Sequence, residues 1–190
     1  MKKTIVYFEK QGPENTYETL RLAKERAEEL GIRDVVVASS HGETAMKAAE
    51  FFNPEENNIV AVTISESFRD QGWTMKTEER EKLEKMGIKV LTCIHALGDN
   101  VGSAFAEKHG GITPERIVRE TLYRFCQGMK VAVEVVLMAA DAGLIPMNRE
   151  VIAIAGTDRG ADTAIIVQPA YSRKFHNLKI KEIIAKPREP

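Results

Sequence analysis

Three stretches of this 190-residue chain gather hydroxyls, glycines and charges closely enough to hold an anion. Ser39-Ser40-His41-Gly42-Glu43-Thr44 sets three hydroxyls around one glycine. Placed where a strand passes into a helix, such a loop offers unpaired N–H groups and the positive end of the helix dipole, which together suit a phosphate. The same residues also read as a plain helix start, with Ser39 or Ser40 capping and Gly42 permitting the turn. Glu43 opposes a dianion unless it points away as a first-turn acid. Gly156-Thr157-Asp158-Arg159-Gly160-Ala161-Asp162-Thr163 repeats the chemistry with two glycines, two threonines and an arginine, the natural bidentate partner of phosphate. Taken alone, it is first of all a glycine turn with a solvated Asp158–Arg159 pair. Between them, the stretch from Cys93 to Gly102 holds His95, Gly98, Asp99 and Asn100.

Other chemistries are less well served. His41 and His95 both follow strand-like runs and can meet at one cleft, but no serine sits in a G-x-S-x-G elbow. G-x-x-x-x-G-K-[ST] is absent, as is a complete G-x-G-x-x-G after the first strand. Cys93 and Cys126 lie far apart, without C-x-x-C or a histidine at metal-ligand spacing, so they read as reduced thiols and no metal is expected.

The elements that position these loops follow from periodicity. Thr4–Phe8 is a short β-type run. Leu20, Leu22, Ala23, Ala27 and Leu30 recur at helical spacing up to Gly31. Asp34–Ala38, with three consecutive valines, has the pattern of a parallel strand covered on both faces. A helix over Ala45–Phe52, a strand over Asn58–Thr63, a polar loop over Ser65–Trp73, a charged helix over Thr77–Met86 and a strand over Lys89–Thr92 continue the alternation. Phe68 and Trp73 in that polar loop are candidates to cover a ligand ring or a subunit contact. Cys93 to Gly111 is expected to be a long irregular stretch. Thr113-Pro114-Glu115 opens a helix that runs to Ala142, with Lys130, Glu134 and Asp141 as a narrow wet edge. Val151–Ala155, Thr163–Gln168 and Lys179–Ala185 supply the remaining strands. The β-α-β alternation predicts a single α/β domain over residues 1–190: a three-layer α-β-α arrangement whose mostly parallel sheet gains an antiparallel edge from its last strands. In such sheets ligands bind beyond the carboxyl ends of the strands, where all three loops lie.

Composition limits the partners. With 43% hydrophobic and 29% charged residues the chain reads as an ordinary globule. A net charge of −1 argues against a general nucleic-acid coat. No 18-residue uncharged stretch exists and the first apolar run is too short for a signal peptide, so a cytoplasmic protein without membrane contact is expected. The excess of Glu over Asp, with many lysines, is a tilt found in heat-adapted proteins.

Ser40-His41-Gly42-Glu43-Thr44-Ala45, the short helix, Pro54 and Ile59-Val60-Ala61-Val62-Thr63 resemble the C-terminal α/β domain of pyruvate kinase, with its S-x-G-x-[ST]-A loop and I-[IV]-A-V-T strand. The likeness continues through Met86-Gly87-Ile88-Lys89-Val90-Leu91 and Val151-Ile152-Ala153-Ile154-Ala155-Gly156, over roughly Asn15 to Val167. The chain is similar end to end to stand-alone members of that family, including SSxGET and GTxRGADT. The resemblance implies that Ser39, Ser40, Gly42 and Thr44 face one anion cleft with the Gly156–Thr163 turn, with His41, Glu43, Thr63, Gly98 and Asn100 in its lining. It implies flavin mononucleotide (FMN) or a similar nucleotide as the ligand, its ring walled by Gly98–Asn100 and Gly156–Thr163. The catalytic barrel of pyruvate kinase has no counterpart in these residues, so its phosphoryl transfer is not expected. Two alternatives stay open: a flavin-dependent oxidoreductase with His41, His95 or Glu43 near the reacting centre, and a regulatory or oligomerisation subunit, with a homo-oligomer as one form, that keeps a vestigial effector site.

Overall fold

The computed structural model describes residues 2–189. Seven strands form one sheet: β1 (Val6–Phe8), β2 (Asp34–Ala38), β3 (Asn58–Val62), β4 (Lys89–Leu91), β5 (Val151–Ala155), β6 (Thr163–Gln168) and β7 (Lys179–Pro187). Their spatial order is β1-β7-β6-β5-β2-β3-β4. β6 alone runs against the others, pairing antiparallel with both β5 and β7. The antiparallel pairing comes from the closing strands as expected, but β1 lies outside them, parallel to β7 with Val6 opposite Ala185. Six strands therefore send their carboxyl ends to the same rim.

Strict alternation divides the buried residues between two faces. Val35, Val37, Ile59, Ala61, Ile152 and Ile154 meet the helices α1 (Thr16–Leu30), α2 (Glu43–Phe51) and α3 (Thr77–Lys85). Val36, Val60, Val62, Ala153 and Ile165 meet α6 (Gln127–Asp141), whose apolar stripe is buried almost throughout. Burial on both faces is the reason these strands read as continuous Val/Ile/Ala runs. Gly31 ends α1 in the left-handed conformation, and Thr113 with Pro114 starts α5 (Pro114–Tyr123) as the sequence requires.

Three expectations are corrected. The helix expected from Thr113 to Ala142 is two helices, parted at Arg124–Cys126. Cys126 is extended and its Sγ accepts the Met129 N–H at 3.3 Å, restarting the helix. The irregular stretch to Gly111 contains a further helix, α4 (Val101–His109), capped by Asn100 Oδ1 on the Ser103 N–H at 2.9 Å. Lys130 and Glu134 are no wet edge: they form a buried ion pair at 2.5 Å, because Glu134 must also accept the Leu97 N–H at 3.0 Å beneath the loop after β4. Among the described residues no helix is long and apolar enough to cross a membrane.

Candidate anion-binding cleft

The chain leaves β2 towards β3 and β4 on one side and returns from β4 to β5 on the other, so strand order reverses between β2 and β5. These two strands are hydrogen-bonded neighbours, with Val37 opposite Ile154. The Ser39–Thr44 loop and the Gly156–Thr163 turn therefore start side by side at the switch point of the sheet.

The first loop sorts its residues by role. Ser39 is buried; its N–H donates to the Val62 carbonyl at 2.9 Å, and its Oγ accepts the Ala45 N–H at 3.2 Å, so it caps α2. Gly42 is the N-cap proper and has φ 87°; a Cβ there would lie 3.1 Å from Leu83, so the glycine is required by both backbone and packing. A glycine cap supplies no side-chain acceptor, which leaves the first-turn N–H groups of Glu43 and Thr44 to an outside one. Ser40 and Glu43 are exposed, whereas Thr44 is buried. His41 Nδ1 meets Glu79 Oε2 at 3.2 Å, and the same carboxylate accepts the Lys76 N–H at 2.8 Å. Burial pushes the Glu79 carboxyl up, but those two bonds outweigh it and hold it below the ordinary carboxylate value.

The turn after β5 is more committed to the protein than its composition suggests. Asp162 is fully buried and accepts from the Gly12 N–H at 3.1 Å, the Thr157 N–H at 3.2 Å and the Thr163 hydroxyl at 2.8 Å. Thr163 in turn lies 3.4 Å from Cys126 Sγ, and since its proton goes to Asp162, the thiol is the donor there. Burial raises the Cys126 thiol above its ordinary value despite these bonds. A Cβ on Gly160 would come within 2.7 Å of Pro13 backbone, and one on Gly156 within 2.7 Å of the Gly160 carbonyl. Left over are Thr157, whose enclosed Oγ1 has no hydrogen-bond partner among the described residues, and the exposed Arg159.

The loops after β3 and β4 hold residues that motif reading passed over. Arg80 on α3 donates to Thr92 Oγ1 at 2.6 Å and to the Val90 carbonyl at 3.2 Å. A guanidinium only donates, so the Thr92 proton turns to Thr63 Oγ1 at 2.6 Å and the Thr63 proton to the Ile64 carbonyl at 3.2 Å. Thr63 is thus at the rim but without a proton to give an anion. His95 Nδ1 lies 2.5 Å from Asp99 Oδ2, and its Nε2 faces the Ser65 N–H at 3.4 Å; a backbone N–H can only donate, so the ring proton sits on Nδ1. Asp99 takes φ 58° to deliver that carboxylate. Phe68 stacks on His95 with centroids 5.7 Å apart, and Trp73 stacks on Phe68 at 5.7 Å and 14°. Gly98 is buried against Arg119, and Asn100 serves as the α4 cap while bonding Glu115 at 3.3 Å, so both support the loop framework. Arg80 carried no signal because the helix around it is charged on every side.

Residues 18–167 match the family model of the pyruvate kinase α/β domain. The chain belongs to that family. Within it, the Ser39–Thr44 loop and the whole Gly156–Thr163 turn fall inside the matched span, whereas β1 and β7 lie outside it. Two solved structures of pyruvate kinase from Cryptosporidium parvum, one of them in complex with ADP, are similar at TM-score 0.42 and 14% identity. The matches cover 80% and 90% of this chain but 22% and 24% of the enzyme chains, so the chain spans less than a quarter of the length of those relatives.

Proposed function

We propose that this α/β domain binds a phosphorylated small molecule, FMN or a similar nucleotide, at the rim between β2 and β5, without pyruvate kinase catalysis. The observation that carries the reading is the α2 N-terminus: a nine-residue helix at the switch point of the sheet, where Ser39 takes the Ala45 N–H but the N-cap glycine offers no side chain to the Glu43 and Thr44 N–H groups. The residues fit a phosphate there. Ser40 and Thr44 supply hydroxyls, the Glu43 and Thr44 N–H groups supply backbone donors, Arg159 a cation, and the orphaned Thr157 Oγ1 awaits a polar partner. FMN, when bound, would supply a ring able to carry two electrons. Two free cysteines and the lack of a spanning helix among the described residues support a cytoplasmic setting.

The test is the protein as purified, examined for visible flavin absorbance and for thermal shift with FMN, riboflavin and inorganic phosphate. At a hundredfold excess over Kd, binding adds about 2.7 kcal/mol. For a domain of this size that raises Tm by roughly 5–10 °C. Flat responses to FMN and phosphate alike refute the proposal.

A further inference from the structure

The two flanks of the phosphate loop differ in what they leave accessible. On the β5 side, Asp162, Thr163, Gly156 and Gly160 are consumed by contacts with Gly12, Pro13, Thr157 and Cys126. A planar ring entering there would have to displace a fully buried, triply bonded carboxylate. On the β3–β4 side stands a ladder of three rings, His95, Phe68 and Trp73, fixed at its inner end by Asp99 and the Ser65 N–H and ending in an indole that is 52% exposed. The two regions are coupled: His41 of the phosphate loop and the Lys76 N–H, three residues beyond Trp73, share the Glu79 carboxylate. Two strand spacings separate β2 from β4, about 10 Å, and the stack carries Trp73 outward from His95 in two steps of 5.7 Å.

We infer that the ligand lies across the rim with its phosphate at the α2 N-terminus and its planar ring stacked on Trp73, towards β4 and away from the Gly156–Thr163 turn. This rests on the binding reading above and specifies the direction of the ligand and a ring subsite. The ring class is a flat heteroaromatic such as isoalloxazine or a nucleobase, since stacking on an indole face tolerates any π-system.

Trp73 is the one tryptophan of the chain, and an indole in contact quenches flavin emission, so the emission of bound flavin reports on this subsite. FMN and riboflavin are expected to lose at least half of their own emission on binding, whereas inorganic phosphate competes with FMN in calorimetry. Trp73→Ala should weaken FMN about tenfold or more, and Trp73→Phe should restore most of that affinity. Circular dichroism of both variants checks that they fold. FMN binding that is weakened by Ser40→Ala but keeps the flavin's emission and is indifferent to Trp73→Ala would overturn the direction while leaving the phosphate site intact. No binding of FMN, riboflavin or phosphate would overturn both.

Discussion

The two halves of the carboxyl rim are built on opposite terms. Around β5 and β6, polar atoms face one another: Cys126, Thr163, Asp162, Thr157 and Gly12 form a closed chain of donors and acceptors, and α6 is so close that a Cβ on Gly128 would lie 2.2 Å from Thr163 Oγ1. Around β3 and β4, the loops are longer, their aromatic rings stack outward, and α4 has no buried residue at all. A closed hub resists deformation because every broken bond strands a buried group; an open loop set costs little to rearrange. The contrast assigns framework to one half and leaves the other free to rearrange.

Disrupting the hub should have the largest effect. Asp162→Ala strands two N–H groups and a hydroxyl in a dry site and is expected to cost about 3–5 kcal/mol, measured by urea unfolding. Glu134→Ala, which leaves the Lys130 ammonium buried and unpaired, should cost about 3 kcal/mol. Because Glu134 also holds the Leu97 N–H, that variant should accelerate amide exchange over residues 93–100, linking the floor of one half to the loops of the other. Gly128→Ala follows at about 2 kcal/mol of overpacking; stability equal to wild type would show that α6 and β6 can part freely.

The open half should respond more weakly. The folded Glu79 carboxyl titrates below its ordinary value of 4.5, so its contribution is present above that value and fades as pH falls through the lower folded one. Glu79→Gln should therefore cost roughly 0.5–1 kcal/mol at neutral pH and flatten the loss of stability below pH 4.5. Smallest of all, Val101→Ser with Phe105→Ser on exposed α4 should change unfolding free energy by less than about 0.5 kcal/mol. A larger loss would mean that α4 is packed in solution.

Legibility in the sequence divides along the same line. Strands covered on both faces announce themselves as apolar runs, and Gly31, Thr113 and Pro114 mark helix ends by local chemistry, so the order of elements and the position of the Ser39–Thr44 loop could be read directly. The break at Arg124–Cys126 could not, because no glycine or proline interrupts the chain there; it is imposed by the Cys126 cap and the approach of Gly128 to β6. α4 buries no face, so it leaves no periodic signal. Glycines that suggested ligand approach proved to be needed for packing against Leu83 and Pro13, a distinction that depends on partners far away in the sequence. Asp99 and Arg80 act through His95 and Thr92 and belong to no motif.

β1 pairs with Ala185 to Pro187 and accepts the Arg188 N–H on its Phe8 carbonyl at 2.9 Å, and α1 packs on β5, β6 and β7. Strands β2, β3 and β4, by contrast, can pair as they emerge, each within reach of its successor. The outer edge of the sheet is therefore a late event in folding: Val6 has no partner until Ala185 has been made and β6 has turned back to place β7. In pulsed amide exchange, protection at residues 6–8 should lag behind protection at residues 35–37, and the Gly12 N–H, whose acceptor is Asp162, should be protected with the later group.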